Sequence, residues 1–175
     1  WMTMAIDFGK YAHLSDKGTG HSCIPFYEKT LANLVGTPAV LLEVGVLGGG
    51  SMMMWSDFLG PKSRIFGLDV SPPIRIDRPN VTVLQGNSTQ RGPWLDLIPP
   101  CDVIVDDGSH ELEDQKATWQ TLWPLLRPGG LYVVEDVQSD IGISELLRMI
   151  PDSNVENMRH VKDRWDDVLV WTVKQ

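Results

Sequence analysis

Two short β-branched runs end abruptly in carboxylates, and this limits the folds open to the chain. Asp102-Val103-Ile104-Val105 leads into Asp106-Asp107-Gly108-Ser109-His110, and Val133-Val134 leads into Glu135-Asp136. Each apolar run reads as a buried strand. Burying an unpaired carboxylate is costly, so these strand ends belong at an open rim with partners. In a parallel sheet, neighbouring strand ends share one rim, roughly 4.8 Å apart. Two acidic pairs and His110 on that rim would make a site able to hold a hard cation and move a proton.

Elsewhere the pattern alternates. Strands are expected over residues 40–46, 64–70, 81–84, 101–106 and 131–135, and helices over 24–35, 51–59, 111–126 and 143–150. Residues 158–163 and 168–173 read as a closing strand pair across Arg164-Trp165-Asp166-Asp167. Their short connection makes them antiparallel, because a parallel crossover needs a dozen residues or more. Near-continuous apolar strands alternating with helices specify an α/β fold, a mostly parallel sheet with helices on both faces. No repeat or linker interrupts the 175 residues, so they read as one domain. Residues 1–37 are its N-terminal cap segment and helix, and 38–175 its Rossmann-like core. Ligands of open α/β sheets bind beyond the carboxyl ends of the strands. That rule selects the loops at 45–51, 70–75, 86–89, 106–110, 135–142 and 164–167.

Composition removes several function classes. The net charge is -8 and no Lys/Arg cluster exceeds two residues, which argues against nucleic acid as the main partner. No apolar run approaches the roughly 20 residues that cross a bilayer. Asp7, Lys10, Asp16 and Lys17 leave no apolar core for a secretory signal. Trp1 ahead of Met2 is an unusual start. Cys23 and Cys101 fit no zinc or redox spacing, and Cys101 opens an apolar strand as a buried, inert thiol would. A reduced, cytoplasmic setting follows.

Leu42-Glu43-Val44-Gly45-Val46-Leu47-Gly48-Gly49-Gly50-Ser51 joins the first strand to the first core helix. A dinucleotide fingerprint needs a second glycine where Leu47 stands, so that match fails. Glu43 offers a carboxylate to a ligand cation or amine, although the cluster alone also reads as a structural turn. Asp69 ends the second strand, where an acidic residue can hold both ribose hydroxyls. A turn cap is its other reading. Together these residues favour a nucleoside cofactor without a pyrophosphate.

Glu43-x-Gly45-x-x-Gly48, Asp69, Gly86-Asn87-Ser88 and the closing antiparallel strand resemble a class I S-adenosylmethionine-dependent methyltransferase over residues 38–175. The resemblance implies a seven-stranded sheet of order 3-2-1-4-5-7-6. It implies S-adenosylmethionine as cofactor, with Gly45 against the methionine part, Asp69 on the ribose, and Asn87 and Ser88 near the adenine. Glu43, Gly48, Ser51, Gly86 and Asp106 complete the expected cofactor residues. Asp106-Asp107-Gly108-Ser109-His110 with Glu135-Asp136 resembles, more narrowly, the metal-dependent macrolide sugar O-methyltransferases of the mycinamicin type and the cephalosporin-hydroxylase-like group. Lys10-Tyr11, Asp16-Lys17-Gly18, His21 and Phe26-Tyr27-Glu28 extend that similarity. It implies Asp107 and Asp136 as magnesium ligands and His110 as general base. The extra N-terminal domain of the mycinamicin type has no counterpart in these residues.

Methyl transfer from a sulfonium is an in-line displacement in which positioning supplies much of the rate. A divalent cation acidifies an oxygen it binds, and a histidine near neutral pH can take the proton. Magnesium prefers oxygen ligands, which favours a vicinal diol acceptor, a sugar or a catechol. Adjacent strand residues face opposite ways, so Asp106 and Asp107 need not share a role. Asp106 also reads as an acceptor for backbone amides, and Glu135 as a support behind the ligands. His160 reads as structural, in the sixth strand. His21, with Tyr11 and Asp16, either folds over the cofactor or belongs to an ordinary surface segment. Trp119 and Trp123 read as core, Met52–Met54 as helix packing, and Trp165 as a rim residue or an acceptor stack.

The chain therefore reads as a magnesium-assisted, S-adenosylmethionine-dependent O-methyltransferase acting on a small-molecule hydroxyl, a sugar or vicinal diol. So short a chain can borrow part of its acceptor pocket from a neighbouring subunit of a homo-oligomer. A nicotinamide-dependent Rossmann oxidoreductase and a non-catalytic cofactor-binding module are the alternatives. Leu47 counts against the first, and intact Asp107, His110 and Asp136 against the second.

Overall fold

The computed structural model describes residues 8–175, so Trp1, Met2 and Asp7 lie outside the described residues. Seven strands form one sheet: β1 (Val40–Val44), β2 (Arg64–Asp69), β3 (Val81–Gln85), β4 (Cys101–Asp106), β5 (Leu126–Val134), β6 (Asn154–Asn157) and β7 (Val168–Val173). Their order is β3-β2-β1-β4-β5-β7-β6, as the sequence resemblance implies. β1 to β5 run parallel, and β7 pairs antiparallel with both β5 and β6. The helices are α1 (Asp16–Thr19), α2 (Ile24–Leu31), α3 (Gly50–Leu59), α4 (Leu112–Leu122), α5 (Asp140–Met149) and α6 (Arg159–Lys162). None is long and apolar enough to cross a membrane among the described residues.

Side-chain alternation along the strands builds two cores, one on each face of the sheet. On β4, Val103 and Val105 enter the core that holds Tyr27, Leu31, Met52, Met54 and Trp55. Ile104 enters the opposite core with Leu122, Tyr132, Leu146 and Val170. Met52 and Met54 therefore pack as expected. Trp119 and Trp123, 5.6 Å apart between ring centroids, pack against the second core as expected. Both cysteines are free and buried, and burial pushes the Cys101 thiol up to about 12.

The closing region departs from expectation. The sixth strand is Asn154–Asn157, not 158–163, and Arg159–Lys162 is a single helical turn that carries an exposed His160. All four β6 residues are exposed at the sheet edge, so no apolar alternation marks them. Met158, 7% exposed, is the buried anchor that draws a sequence reading downstream. The helix expected to reach 126 stops at Leu122 in a 3₁₀ turn, Trp123–Leu125, because Pro124 has no amide to continue it. β5 starts five residues earlier than expected and absorbs Pro128-Gly129-Gly130 through a register shift against β4. The helix expected over 24–35 ends at Leu31 and tightens to a 3₁₀ turn over Ala32–Leu34.

Ahead of α2, a 3₁₀ segment (Phe8–Leu14) and α1, capped by the Ser15 side chain, lie across the carboxyl rim of the sheet. Gly50 lets them dock. A Cβ there would sit 2.0 Å from the Leu14 carbonyl oxygen. Alanine favours the helix itself by up to about 1 kcal/mol. Gly50→Ala is therefore expected to leave the sheet cooperatively folded while displacing the N-terminal segment. Lys17 is 1% exposed, so faster tryptic cleavage after Lys17 is the expected result, with a lower melting temperature because the carboxylates of Glu43, Asp107 and Glu135 lose their countercharge. Equal cleavage of both proteins would show that the segment does not depend on this contact.

Candidate active site

The site is built where β1, β2, β4 and β5 end. Gly45 leaves β1 at φ +88, and a Cβ there would lie 2.1 Å from the Asp107 carbonyl oxygen. Only glycine meets both demands, so the glycine turn and the 106–110 loop are in direct contact. At the end of β2, Asp69 accepts the Val46 and Leu47 amides at 2.8 and 3.3 Å on one oxygen and the Ser71 amide at 2.8 Å on the other. Partial burial pulls its carboxyl upward, but the three amides hold it below the ordinary range.

Two cavities flank this turn. One, of about 310 Å³, is lined by Gly45, Asp69, Gly86, Asn87, Ser88 and Asp106. The other, of about 680 Å³, is lined by Gly48, Ser51, Asp107 and His110, with Leu14 to Asp16 as its lid side. They share Gly45, Asp69 and Gly108, so ten of the twelve expected site residues border one trough. Nothing lies within 4 Å of a Cβ at Gly48, so no described protein atom demands glycine there. Gly86 is different: a Cβ would meet the Trp94 indole at 2.3 Å. Asn87 caps the Thr89 amide at 2.9 Å, and the Ser88 hydroxyl lies 2.8 Å from that of Thr118.

The other two expected residues lie behind or beside the trough. Glu43 is fully buried beneath it, one oxygen held by the Ser51 hydroxyl at 2.5 Å and the other by the Lys17 ammonium at 3.0 Å. Asp136 follows β5, with Oδ2 at 3.9 Å from His110 Nε2. His110 Nε2 also lies 4.0 Å from Asp107 Oδ1. Ligand atoms of Asp107, His110 and Asp136 all fall within 4.8 Å of one another. His110 and Asp136 have φ of 61 and 52, a left-handed conformation that non-glycine residues adopt at a cost. Aspartate and histidine tolerate this conformation better than most residues, and Asp152 and Asp163 adopt it elsewhere.

Lys17 was not recognised from sequence as a site residue. Its ammonium is 1% exposed and lies 2.5 Å from Asp107, 2.9 Å from Glu135 and 3.0 Å from Glu43. No local rule turns a lysine inward. The available signal was charge accounting, since three strand-end carboxylates had no basic residue beside them in sequence, and Arg127, at the start of β5, pairs with Asp102. Tyr27 donates its hydroxyl to the second oxygen of Glu135, and burial drives the Tyr27 and Glu135 groups upward. His21 is buried with Nδ1 at 3.2 Å from Asp136 Oδ1, so it backs the acidic rim. Trp165 is 60% exposed and borders neither cavity.

Glu43, Asp107, Glu135 and Asp136 bring four formal negative charges against the one positive charge of Lys17. Burial, reinforced by Asp107, raises the Asp136 carboxyl to about 7 despite the opposing pull of Lys17. Asp136 Oδ1 is buried without a hydrogen bond. A rim short of positive charge, with oxygen donors converging, fits a hard divalent cation. Asp106 is 3% exposed at the floor of the smaller cavity, with Oδ2 unpartnered, and is suited to accept a ligand N–H.

Burial raises the Asp106 carboxyl to about 8 against the opposing Gly108 amide. Unfolded, it titrates near an ordinary aspartate, about 3.9. Between these values the folded protein keeps a proton that the unfolded chain has lost. The resulting stability is complete below the unfolded value and is lost as pH rises through the folded one. Asp106→Asn should flatten this part of the decline and melt higher than the parent at about pH 9 than it does, relatively, at about pH 4. Melting curves in EDTA test this, and an identical decline in both proteins would remove Asp106 as a cause.

Residues 42–137 match the family described as methyltransferase domain. The chain is 38% identical over 145 residues to the 8-demethyl-8-(2-methoxy-alpha-L-rhamnosyl)-tetracenomycin-C 3'-O-methyltransferase of Streptomyces olivaceus, over 75% of this chain and 37% of that protein. It is 34% identical over 128 residues to the mycinamicin VI 2''-O-methyltransferase of Micromonospora griseorubida, over 67% of this chain and 32% of that protein. Among solved structures, the MycE methyltransferase of mycinamycin biosynthesis in complex with Mg, SAH and mycinamycin VI superposes at a TM-score of 0.66. That match has 30% identity and covers 75% of this chain and 36% of that one. The chain thus spans about a third of the length of these curated relatives.

Proposed function

The chain belongs to the methyltransferase domain family, and from that premise we propose that it moves the methyl group of S-adenosylmethionine to a small-molecule hydroxyl, a sugar or vicinal diol, beside a divalent cation. The observation that carries this reading is the meeting of Asp107, His110 and Asp136 at one end of the trough that Gly45 and Asp69 border. The two relatives are named as O-methyltransferases of a rhamnosyl tetracenomycin and of mycinamicin VI, which supports a sugar hydroxyl as acceptor. The net charge of -8 supports a small molecule over a nucleic acid.

In this reading Asp69 takes the ribose hydroxyls, and the Gly45 turn takes the methionine part, with Gly48 left open for ligand. Asn87 and Ser88 border the adenine end, where the unpartnered oxygen of Asp106 accepts an N–H. Glu43 acts from beneath, through Ser51 and Lys17. Asp107 and Asp136 would hold magnesium. The bound cation would acidify the acceptor hydroxyl and balance the surplus carboxylate charge. His110 Nε2, at 4.0 and 3.9 Å from the Asp107 and Asp136 carboxylates, would take the hydroxyl proton. The cofactor would supply the sulfonium methyl for an in-line displacement by the deprotonated oxygen, with the neutral thioether as leaving group.

Calorimetry with S-adenosylhomocysteine tests the cofactor half. Asp69→Ala should lose charge-assisted hydrogen bonds of about 1.5–3 kcal/mol each, roughly tenfold or more in affinity. Unchanged affinity in a folded variant would sink the assignment of Asp69.

Turnover on a panel of glycosides, read as S-adenosylhomocysteine released, tests the catalytic half. EDTA should abolish it. His110→Ala should lower it by about 10²–10⁴-fold while cofactor affinity holds. Wild-type turnover in that variant would exclude His110 as the base.

A further inference from the structure

Lys17 enters the rim from the N-terminal segment, where its ammonium donates to Asp107 and Glu135 and is ion-paired with Glu43 at 3.0 Å. Two of those partners are themselves held. Glu43 is fixed on its other oxygen by Ser51, and Glu135 by Tyr27. Lys17 is held from outside as well, because the Lys162 ammonium binds the carbonyls of Gly18 and His21 at 2.7 and 2.6 Å. The ammonium is thus a fixed point, and Asp107 is the partner whose remaining oxygen faces the trough.

We propose that Lys17 is a positioning residue for Asp107. By holding Oδ2 from the buried side, it turns Oδ1 toward His110 and Asp136, where the divalent cation of the preceding reading would sit, and the inference rests on that reading. Unheld, the terminal torsion of an aspartate is broad and roughly two-fold. The 19% exposed carboxylate of Asp107 would then swing between solvent and rim. The geometry also makes the N-terminal segment part of the site, since the segment supplies the ammonium.

Electrostatics alone predicts the opposite effect of losing Lys17. Removing a positive charge beside a cation site tightens cation binding, because like charges repel. Positioning predicts weaker binding, as when a group supporting a metal ligand is lost, about 10–100-fold. In replacements that keep the net local charge the electrostatic effect largely cancels, and a loss of affinity is then left to positioning.

The test titrates the full chain with Mn²⁺, following free and bound ion by electron paramagnetic resonance. S-adenosylhomocysteine affinity is measured in parallel by calorimetry. Lys17→Arg keeps the charge and changes the donor geometry. Lys17→Met removes the countercharge of three buried carboxylates, so it is combined with Glu135→Gln, which removes one of them. Both proteins should bind Mn²⁺ about 10–100-fold more weakly than wild type, with a broadened bound spectrum and a smaller loss of S-adenosylhomocysteine affinity than of Mn²⁺ affinity. Equal or tighter Mn²⁺ binding in either folded variant overturns the proposal. A wild-type chain that binds S-adenosylhomocysteine but no Mn²⁺ overturns the cation reading itself, and the proposal with it.

Discussion

Three carboxylates from three adjacent strands converge on one ammonium, that of Lys17, and the rim is arranged around this contact. Glu43 on β1, Asp107 after β4 and Glu135 after β5 would repel one another in a dry sheet end without it. Removing one partner of a buried ion pair typically costs about 3–5 kcal/mol, because the remaining charge is left uncompensated. Here one cation serves three anions, so the penalty is concentrated in a single side chain. Ser51 and Tyr27 take up the remaining oxygens of Glu43 and Glu135, which ties α3 and α2 to the same cluster.

The cluster also sets the division of labour along the trough. Its buried side is saturated with protein donors. On its other side, Asp107 Oδ1 and Asp136 Oδ2 lie 4.0 and 3.9 Å from His110 Nε2, outside hydrogen-bond distance of it. The glycine turn makes the link between the two ends physical: Gly45 lies against the backbone of Asp107, so the two ends of the trough, proposed to hold nucleoside and cation, cannot shift independently. Asp69 draws the amides of Val46 and Leu47 onto its carboxylate and so shapes the same turn from the other strand.

Much of this was legible in the sequence, for identifiable reasons. Central strands buried on both faces must be continuously apolar, so β4 and the core of β5 could be read directly, and their carboxylate ends marked the rim. The glycine turn was visible because its backbone needs glycine. β6 was hidden because an exposed edge strand carries no burial pattern. The N-terminal segment was hidden because its short 3₁₀ and helical turns are fixed by long-range contacts, such as Leu14 against Gly50 and Lys17 against Glu135, rather than by local periodicity. Glu43 was placed in the site by spacing, yet its partner turned out to be a lysine from the same chain.

The state of the two cysteines has a practical consequence. Cys23 and Cys101 are fully buried, and burial raises both thiols, so neither is a ready nucleophile at neutral pH. For maleimide chemistry the folded chain behaves as if it had no cysteine, and any thiol engineered at the surface becomes a unique attachment point. Trp165 is exposed on the turn between α6 and β7, next to Asp166 and Asp167 in sequence. Trp165→Cys would give such an attachment point outside both cavities, so a dye there would label the chain without filling the trough. A dye count of one per chain is the check on that background.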